Sequence, residues 1–143
     1  MARGSTKFQL RGYGVALPDD RLDNVRLGLE LGVDPDSIEQ RTGILERRIA
    51  RDDETASSLG AAAARAALTH AGLDALEIDL VLLSTYTPDR LLCPTGPELA
   101  YKVGATRAGA FDLNGACSGG VTAVLTAASL VESGAFRNVL VVT

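Results

Sequence analysis

The feature of this sequence that most constrains its fold is an almost uninterrupted apolar run, Ile78-Asp79-Leu80-Val81-Leu82-Leu83-Ser84-Thr85. A strand that is apolar at successive positions presents apolar side chains to both faces of its sheet, so both faces must be covered. Residues 138–142, Asn-Val-Leu-Val-Val, have the same character. The two runs predict a sheet of largely parallel strands that is covered by helices.

The patterns on either side of these runs alternate between strand and helix. Strands are predicted at residues 8–17, 46–50, 78–85, 109–113 and 138–142, and helices at 23–31, 34–41, 55–71, 94–103 and 117–133. Asp23 as an N-cap, Pro35 in a first turn and Gly72 after an alanine-rich helix are residues typical of helix boundaries. This order predicts the α/β class, with one mixed, mostly parallel five-stranded sheet covered by helices.

Composition limits the classes of function. The chain has 143 residues, 46% of them apolar, which suffices for one hydrophobic core. Its net charge of −4 argues against a nucleic-acid partner, and the basic cluster Arg47, Arg48 and Arg51 is interpreted as a solvated face. Residues 1–7 lack an apolar signal segment, and no apolar run approaches the roughly 18 residues of a membrane span, so a cytoplasmic protein without a membrane partner is expected.

Cysteine usage adds a candidate for chemistry. The chain has two cysteines, Cys93 and Cys117, and a reducing compartment favours free thiols over a disulfide between them. Cys117 lies where the apolar strand 109–113 is predicted to turn into a helix, within Asn114-Gly115-Ala116-Cys117-Ser118-Gly119-Gly120. Unpaired N–H groups at a helix start stabilise a thiolate and can hold an oxyanion. A small buried structural cysteine and a phosphate-binding glycine turn are the alternatives.

Several separated motifs in a fixed order resemble β-ketoacyl-(acyl-carrier-protein) synthase III and its relatives in the thiolase superfamily. They are Gln40-Arg41-Thr42-Gly43-Ile44, Glu46-Arg47-Arg48-Ile49-Ala50, Asp53-Glu54-Thr55, Ala71-Gly72-Leu73, Ile78-Asp79-Leu80-Val81, Thr87-Pro88-Asp89 and Ala110-Phe111-Asp112-Leu113-Asn114-Gly115-Ala116-Cys117-Ser118-Gly119. The resemblance implies a thiolase-like layered fold in which a buried helix starts at the nucleophilic cysteine. It also implies that residues 1–143 form the N-terminal half-domain, without the C-terminal half-domain.

The resemblance implies a role for five side chains. Cys117 is the residue expected to carry the acyl group, Arg41 and Thr42 lie where the nucleotide end of coenzyme A binds, and Thr87 and Cys93 lie around the acyl pocket. The loop of Cys93 is expected to reach the pocket of a neighbouring subunit. Each of the last four has an ordinary alternative: Arg41 can cap a helix C-terminus, Thr42 can bond a turn amide, Thr87 can serve the backbone before Pro88, and the alignment at Cys93 can slip.

Two departures from the family pattern affect the expected substrate. A tryptophan that often stacks on the adenine of coenzyme A is replaced by Ser37, which favours a carrier-protein-bound or other donor. Cys93 in place of a larger residue makes room for a longer or branched acyl group. The family also needs a histidine and an asparagine from the second half-domain, and His70, the only histidine, is interpreted as structural.

The expected function is therefore acyl transfer through a Cys117 thioester. The leading hypothesis is decarboxylative Claisen condensation of an acyl-coenzyme A or acyl-carrier-protein thioester with malonyl-acyl-carrier protein, in fatty-acid or polyketide biosynthesis. These 143 residues by themselves are expected to lack condensing activity. The alternatives are an acyltransferase that delivers the acyl group to an alcohol or amine of a secondary metabolite, and a non-catalytic partner subunit. No metal or resident cofactor is expected, and the resemblance implies a homodimer paired through the N-terminal halves.

Overall fold

The computed structural model describes residues 8–143, and the chain divides into two compact units. The sheet unit contains residues 8–16 and 56–143, and the small unit contains residues 17–55. The expectation that residues 1–143 form one half-domain of a larger fold stays a prediction.

Within residues 8–143 the chain forms five strands and five α-helices. In chain order they are β1 Arg21–Asp23, α1 Asn24–Leu31, α2 Pro35–Thr42, β2 Glu46–Arg48, α3 Ala56–Ala71, β3 Leu80–Ser84, α4 Gly96–Val103, β4 Gly109–Leu113, α5 Gly119–Glu132 and β5 Val139–Val142. Two 3₁₀ turns, Ala75–Glu77 and Ala116–Ser118, precede β3 and α5. No helix in this part of the chain is long and apolar enough to cross a membrane.

The sheet unit is built around β3, the central strand of a three-stranded parallel sheet of order β4-β3-β5. Leu80 pairs with Gly109 of β4 on one side and with Val139 of β5 on the other. All five residues of β3 are buried, and Val81 and Leu82 are 0% exposed. The apolar run that predicted a doubly covered strand is confirmed.

Alternate residues of β3 face two different helix layers. Val81 and Leu83 belong to a core cluster with residues of α3 and α4, such as Ala64 and Leu99. Leu80 and Leu82 belong to a second cluster with Ala127 of α5. Small residues on α3 permit close packing: a Cβ added to Gly60 would lie 3.1 Å from Val142 and 3.3 Å from Leu99. The sheet unit is therefore a three-layered α/β/α arrangement, which confirms the predicted class.

The prediction of a single five-stranded sheet is wrong in detail, because the strands belong to two sheets. β1 and β2 form a separate antiparallel ribbon in the small unit, with Arg21 opposite Arg48. Each has only three residues and a charged sequence, Arg-Leu-Asp or Glu-Arg-Arg, so neither presents an apolar face to a helix layer. The helices predicted at 23–31, 34–41, 55–71, 94–103 and 117–133 are all present, and each end either coincides with the prediction or is shifted by one or two residues.

The predicted strand at residues 8–17 is also wrong. This segment has no strand pairing and instead runs against α3, where a Cβ on Gly12 would collide with the Ala67 carbonyl. The Tyr13 N–H donates to His70 Nδ1 at 3.3 Å, and the two rings meet edge to face at 4.6 Å. His70 thus has a packing role at the end of α3. Gly12 and Gly14 have no side chain, so the backbone of this segment can lie directly against α3. The segment packs on that helix and does not pair as a strand, although its apolar pattern is that of a strand.

The small unit is held mainly by caps and polar contacts. Asp23 caps α1 by accepting a bond from the Arg26 N–H at 2.8 Å, as predicted. Asn24, which is buried, donates to the Ile44 carbonyl at 2.8 Å and accepts from Arg47. Arg48 donates to the Pro18 carbonyl at 2.9 Å. Arg47 and Arg48 are therefore internal partners of this unit and not the solvated face that the charge pattern predicted.

Candidate active site

Cys117 lies in the 3₁₀ turn between β4 and α5, two residues before the start of the helix that was predicted to begin at Cys117. Its thiol is free and exposed. The preceding residue, Ala116, has a φ of 45°, a conformation that costs a non-glycine residue about 1 kcal/mol. Non-glycine residues in the left-handed region cluster at active sites, where the strain fixes a side chain in position. The turn presents the thiol to solvent, so the alternative of a buried structural cysteine is wrong for this residue.

The start of α5 has no side-chain cap. Ser118 is the N-cap residue, but its hydroxyl donates back to the Gly115 carbonyl at 2.8 Å. The Ser118 N–H donates to the same carbonyl at 3.1 Å, which closes the turn around Cys117. The first N–H groups of an α-helix have no partner within the helix, and they carry its positive partial charge. Cys117 therefore lies at a helix start, a position at which backbone N–H groups can hold an oxyanion.

One face of α5 is buried and the other is exposed. Gly119, Ala123 and Ala127 pack inward, whereas Val121 and Leu125 are 67% and 63% exposed. Within the described residues, the prediction of a buried helix is thus correct for one face of α5 and wrong for the other. Small residues on the packed face bring the helix close to the sheet.

Asp112 ties the strand before Cys117 to α4, a role that sequence reasoning missed. Its carboxylate accepts bonds from the Thr95 N–H at 2.7 Å and the Gly96 N–H at 2.5 Å, at the start of α4. Thr95 is 1% exposed, so these bonds lie inside the sheet unit. An aspartate inside an otherwise apolar strand was the one available signal, because such a charge needs specific partners.

The loop of Thr87 and Cys93 is fixed near both ends by a polar network. Asp89 accepts bonds from Ser57, through its N–H at 3.2 Å and its hydroxyl, while the Asp89 N–H donates to Thr95 Oγ1 at 3.1 Å. Lys102 Nζ donates to Ser57 Oγ at 2.6 Å. Thr87 and Cys93 are both exposed on this loop, and Leu91 and Leu92 beside them are 95% and 97% exposed. The assignment of Thr87 and Cys93 to an acyl pocket stays a prediction.

Arg41 and Thr42 lie in the small unit, at the end of α2. Thr42 Oγ1 donates to the Ile38 carbonyl at 2.6 Å and accepts from the Ile44 N–H at 3.1 Å, which is the turn-amide role named as its alternative. Arg41 is exposed in the last turn, where a cation interacts favourably with the helix dipole. The two residues are neighbours at the C-terminal end of α2, and their role in binding a nucleotide stays a prediction.

The surface of α2 is acidic. A shallow depression of about 400 Å³ is lined by Asp36, Glu39, Gln40 and Gly43. Ser37 is half-buried and its hydroxyl donates to the Asp34 carbonyl at 2.7 Å, so it offers a small polar group where the family often has an aromatic ring. Carboxylates repel phosphate groups, and this part of the surface is therefore a poor phosphate site.

Comparison with known proteins agrees with this arrangement. The family model described as 3-oxoacyl-[acyl-carrier-protein (ACP)] synthase III matches residues 111–143, which contain Cys117. The β-ketoacyl-[acyl-carrier-protein] synthase III of Roseiflexus castenholzii is 49% identical over 133 residues, which is 93% of this chain and 40% of the relative. The 3-oxopimeloyl-[acyl-carrier-protein] synthase of Brucella abortus is 45% identical over 125 residues, 87% of this chain and 38% of the relative.

Over 93% of its length the chain is thus similar to β-ketoacyl-[acyl-carrier-protein] synthase III, of which it spans 40%.

Solved structures of this family share its fold. The priming β-ketosynthase of the R1128 polyketide biosynthetic pathway has a TM-score of 0.90 and 42% identity, over 99% of this chain and 42% of that one. The 3-oxoacyl-(acyl carrier protein) synthase III of Pseudomonas aeruginosa has a TM-score of 0.83 and 37% identity, over 92% of this chain and 39% of that one. The thiolase-like fold that the motifs implied is confirmed, and the chain spans about 40% of the length of the curated relatives it matches.

Proposed function

We propose that the protein transfers an acyl group through a thioester on Cys117, in the decarboxylative condensation of an acyl thioester with malonyl-acyl-carrier protein. The observation that carries this proposal is the exposed thiol in a strained turn, directly before an uncapped helix and within the segment that matches the family model. A thiolate is the nucleophilic form of cysteine, and the helix start favours it.

The proposed reaction has two acyl transfers. The Cys117 thiolate attacks the carbonyl carbon of the donor thioester, the N–H groups at the start of α5 stabilise the oxyanion, and the donor thiolate leaves. The malonyl group then loses carbon dioxide, and the electron pair of the broken carbon–carbon bond becomes the attacking carbanion. That carbanion forms a new bond to the acyl carbon, and the Cys117 thiolate leaves. The chemistry needs no resident metal or cofactor, because sulfur is both the nucleophile and the leaving group.

Coenzyme A and acyl-carrier protein remain the two candidate donors. Acyl-carrier protein appears in the names of the relatives, whereas coenzyme A comes from the family resemblance. Ser37 and the acidic depression on α2 favour a donor that makes few contacts through nucleotide phosphates at this surface. Free Cys93 and Cys117 thiols favour a cytoplasmic, reducing location.

The same proposal includes a homodimer. β4 pairs with β3 along one edge, and the described residues place no strand on its other edge. Phe111 in the middle of β4 is 42% exposed. An unpaired edge with a partly exposed aromatic residue can pair with the same strand of a second copy. Light scattering of the intact protein at several concentrations tests this, and a monomer at all of them contradicts it.

Mass spectrometry of the intact protein, with Cys93→Ala as the matched control, tests the acyl-carrier role. After incubation with acyl-coenzyme A or acyl-carrier protein, we expect one acyl group on Cys117 in the wild type and in Cys93→Ala. We expect none in Cys117→Ala. Addition of malonyl-acyl-carrier protein should release carbon dioxide and a ketoacyl product. Full transfer activity in Cys117→Ala would contradict the proposal.

The outcomes also separate the other two functions. Acylation of Cys117 followed by transfer to an alcohol or amine, without carbon dioxide release, indicates an acyltransferase. A Cys117 that is never acylated indicates a non-catalytic partner subunit. For the 143 residues as a separate polypeptide we expect no condensation, because their single histidine packs against Tyr13 and is not available to an incoming nucleophile. Ketoacyl product from that polypeptide would refute this expectation.

A further inference from the structure

Two adjacent glycines begin α5, and each faces a hydroxyl side chain at the carboxyl end of a parallel strand. A Cβ on Gly119 would collide with Oγ of Ser84, the last residue of β3, and would lie 3.6 Å from Ser84 Cβ. A Cβ on Gly120 would lie 3.0 Å from Oγ1 of Thr143, which follows β5. The first turn of α5 therefore packs without side chains against the ends of β3 and β5.

The turn that contains Cys117 also packs against Gly119. A Cβ on Gly115 would lie 2.9 Å from the Gly119 Cα and 3.1 Å from its nitrogen, so the backbone segments on either side of Cys117 touch each other. The Thr85 N–H, one residue after Ser84, donates to the Leu113 carbonyl at 3.3 Å and holds the end of β4 beside the end of β3. A displacement of Gly119 would therefore move Cys117 and the N–H groups next to it.

We propose that Ser84 is a positioning residue for Cys117. Its side chain sets how closely the first turn of α5 approaches the end of β3, and this distance aligns the thiol with the N–H groups at the helix start. Ser84 is 7% exposed and contacts the first turn of α5 at Gly119, so we assign its action to that contact. The inference rests on the proposed role of Cys117 as the nucleophile, and it assigns to the Ser84–Gly119 contact the control of that thiol's reactivity.

The distances at Gly119 predict a specific pattern of rescue. In Gly119→Ala the new methyl group meets Ser84 Oγ, so either the hydroxyl rotates away or the start of α5 shifts from β3. Because Ser84 is buried and has little room to rotate, we expect the helix start to shift. In the double variant Ser84→Ala/Gly119→Ala the hydroxyl is gone, and the remaining Cβ to Cβ distance of 3.6 Å is ordinary van der Waals contact. Gly120→Ala is the matched control, because its methyl group would come no closer than 3.0 Å to the Thr143 side chain, whereas that of Gly119→Ala would collide with Ser84 Oγ.

The test measures the alkylation rate of Cys117 by iodoacetamide across a pH range in the intact protein, with peptide mass spectrometry to resolve it from Cys93. We expect Gly119→Ala to lower the Cys117 rate at neutral pH roughly tenfold, because a thiolate depends on its alignment with the helix start. Ser84→Ala should lower the Cys117 rate about threefold, because the hydroxyl that sets the distance is gone, and the double variant should recover to within about twofold of the wild type, because the new methyl group refills that space. Gly120→Ala should also stay within about twofold of the wild type. The Cys93 rate should be the same in all of them.

Three results would overturn the proposal: an unchanged Cys117 rate in Gly119→Ala, a double variant that is as slow as Gly119→Ala, or an unchanged Cys117 rate in Ser84→Ala. The second result would assign the effect to the helix backbone and not to Ser84. If Gly119→Ala does not fold, Ser84→Thr replaces it, since it enlarges the side chain that contacts Gly119. A wild-type Cys117 rate in folded Ser84→Thr would equally overturn the proposal. Alkylation does not require acyl transfer. The positioning role of Ser84 can therefore be refuted while the proposed function holds, and the proposed function can be refuted while the positioning role holds.

Discussion

The sheet unit and the small unit of this chain are stabilised in different ways. In the sheet unit, β3 is buried along its whole length between two helix layers, and Val81 and Leu82 are 0% exposed. In the small unit, α2 has no buried residue, and α1 buries only Asn24 and Gly28. Apolar burial therefore dominates the first unit, while caps, turns and side-chain hydrogen bonds dominate the second.

The contrast extends to the candidate site residues. Cys117 lies in a turn whose position is fixed by close backbone packing and by strand ends inside the sheet unit. Arg41 and Thr42 lie at the exposed end of a short helix in the small unit. A nucleophile must be held within a fraction of an ångström of its productive position, whereas a residue at a binding surface tolerates more movement. The thiol that must be aligned accordingly lies on the unit with the buried apolar core.

The largest expected effect is in the central strand. Leu82→Ala should lower the free energy of unfolding by about 3 kcal/mol, since a fully buried leucine leaves a cavity between β3 and α5. Denaturant unfolding of the intact protein measures this. Leu76→Ala is the control, because Leu76 is 51% exposed and its loss should cost less than about 1 kcal/mol. Equal losses for the two would contradict the central role given to β3.

Removal of the Asp112 carboxylate should have the next largest effect. Asp112→Ala leaves the Thr95 and Gly96 N–H groups without their acceptor and should cost about 2 kcal/mol of unfolding free energy. The rate of proteolysis in the loop before α4 should rise at the same time. Glu132→Ala, at the exposed end of α5, serves as the control and should change neither quantity. Resistance of the loop to proteases in Asp112→Ala would argue against this anchor.

In the small unit, Asn24 is the polar residue with the largest expected effect. Asn24→Ala removes the bond to the Ile44 carbonyl and the acceptor of Arg47, and should cost about 1.5 kcal/mol. Hydrogen exchange across residues 17–55 should show faster exchange in this variant. Asn24→Asp keeps an acceptor for Arg47 and should lose less. If apolar contacts rather than this residue held the small unit, exchange would be the same in all three proteins.

Asp79 should make a smaller, pH-dependent contribution. The N–H groups of Asn138 and Arg137 donate to its carboxylate and hold the pKa of Asp79 below its ordinary value. Because the folded-state pKa is depressed, the stabilisation is present above the unfolded pKa and is lost as pH falls through the folded one. Asp79→Asn should cost roughly 0.5 kcal/mol at neutral pH, since the group is exposed. Thermal unfolding should show this difference shrinking at acidic pH; a difference that grows there would show the opposite sign.

The smallest effect should come from an exposed ion pair on α1. Arg26 and Glu30 are one helical turn apart, and their side chains meet at 3.2 Å. Arg26→Ala should change the free energy of unfolding by only about 0.3 kcal/mol, because both partners are exposed. The difference between wild type and variant should disappear in high salt, in thermal unfolding experiments. A loss above that of Asn24→Ala would reverse the ranking of contacts proposed for the small unit.

Features with a local cause were predictable from the sequence. The bounds of β4 agree with the predicted 109–113, and the caps at Asp23, Gly43 and Gly72 lie where short-range chemistry places them. The candidate nucleophile was predictable for the same reason, because a strand, a glycine-rich turn and a helix follow one another within a few residues of Cys117. Its resemblance to the synthase III family is confirmed by relatives over 93% of the chain.

Features with a distant cause were not predictable. Residues 8–17 have the apolar pattern of a strand but pack on α3, because Gly12 and Gly14 admit its backbone. Asp112 has its partners 16 and 17 residues earlier in the chain, at the start of α4. The contact of Ser84 with Gly119 joins positions far apart in sequence and leaves no periodic signal.

The sequence by itself therefore determined the α/β class, the order of the elements and the identity of the candidate thiol, since each depends on propensities and patterns over a few neighbouring residues. Tertiary structure alone decided the division of the strands between two sheets and the partners of Arg47 and Arg48. It also decided the contact between Gly119, at the start of α5, and Ser84, at the end of β3. The physical reason is that packing between distant segments depends on shape and on available hydrogen-bond partners, and neither is encoded in a local pattern.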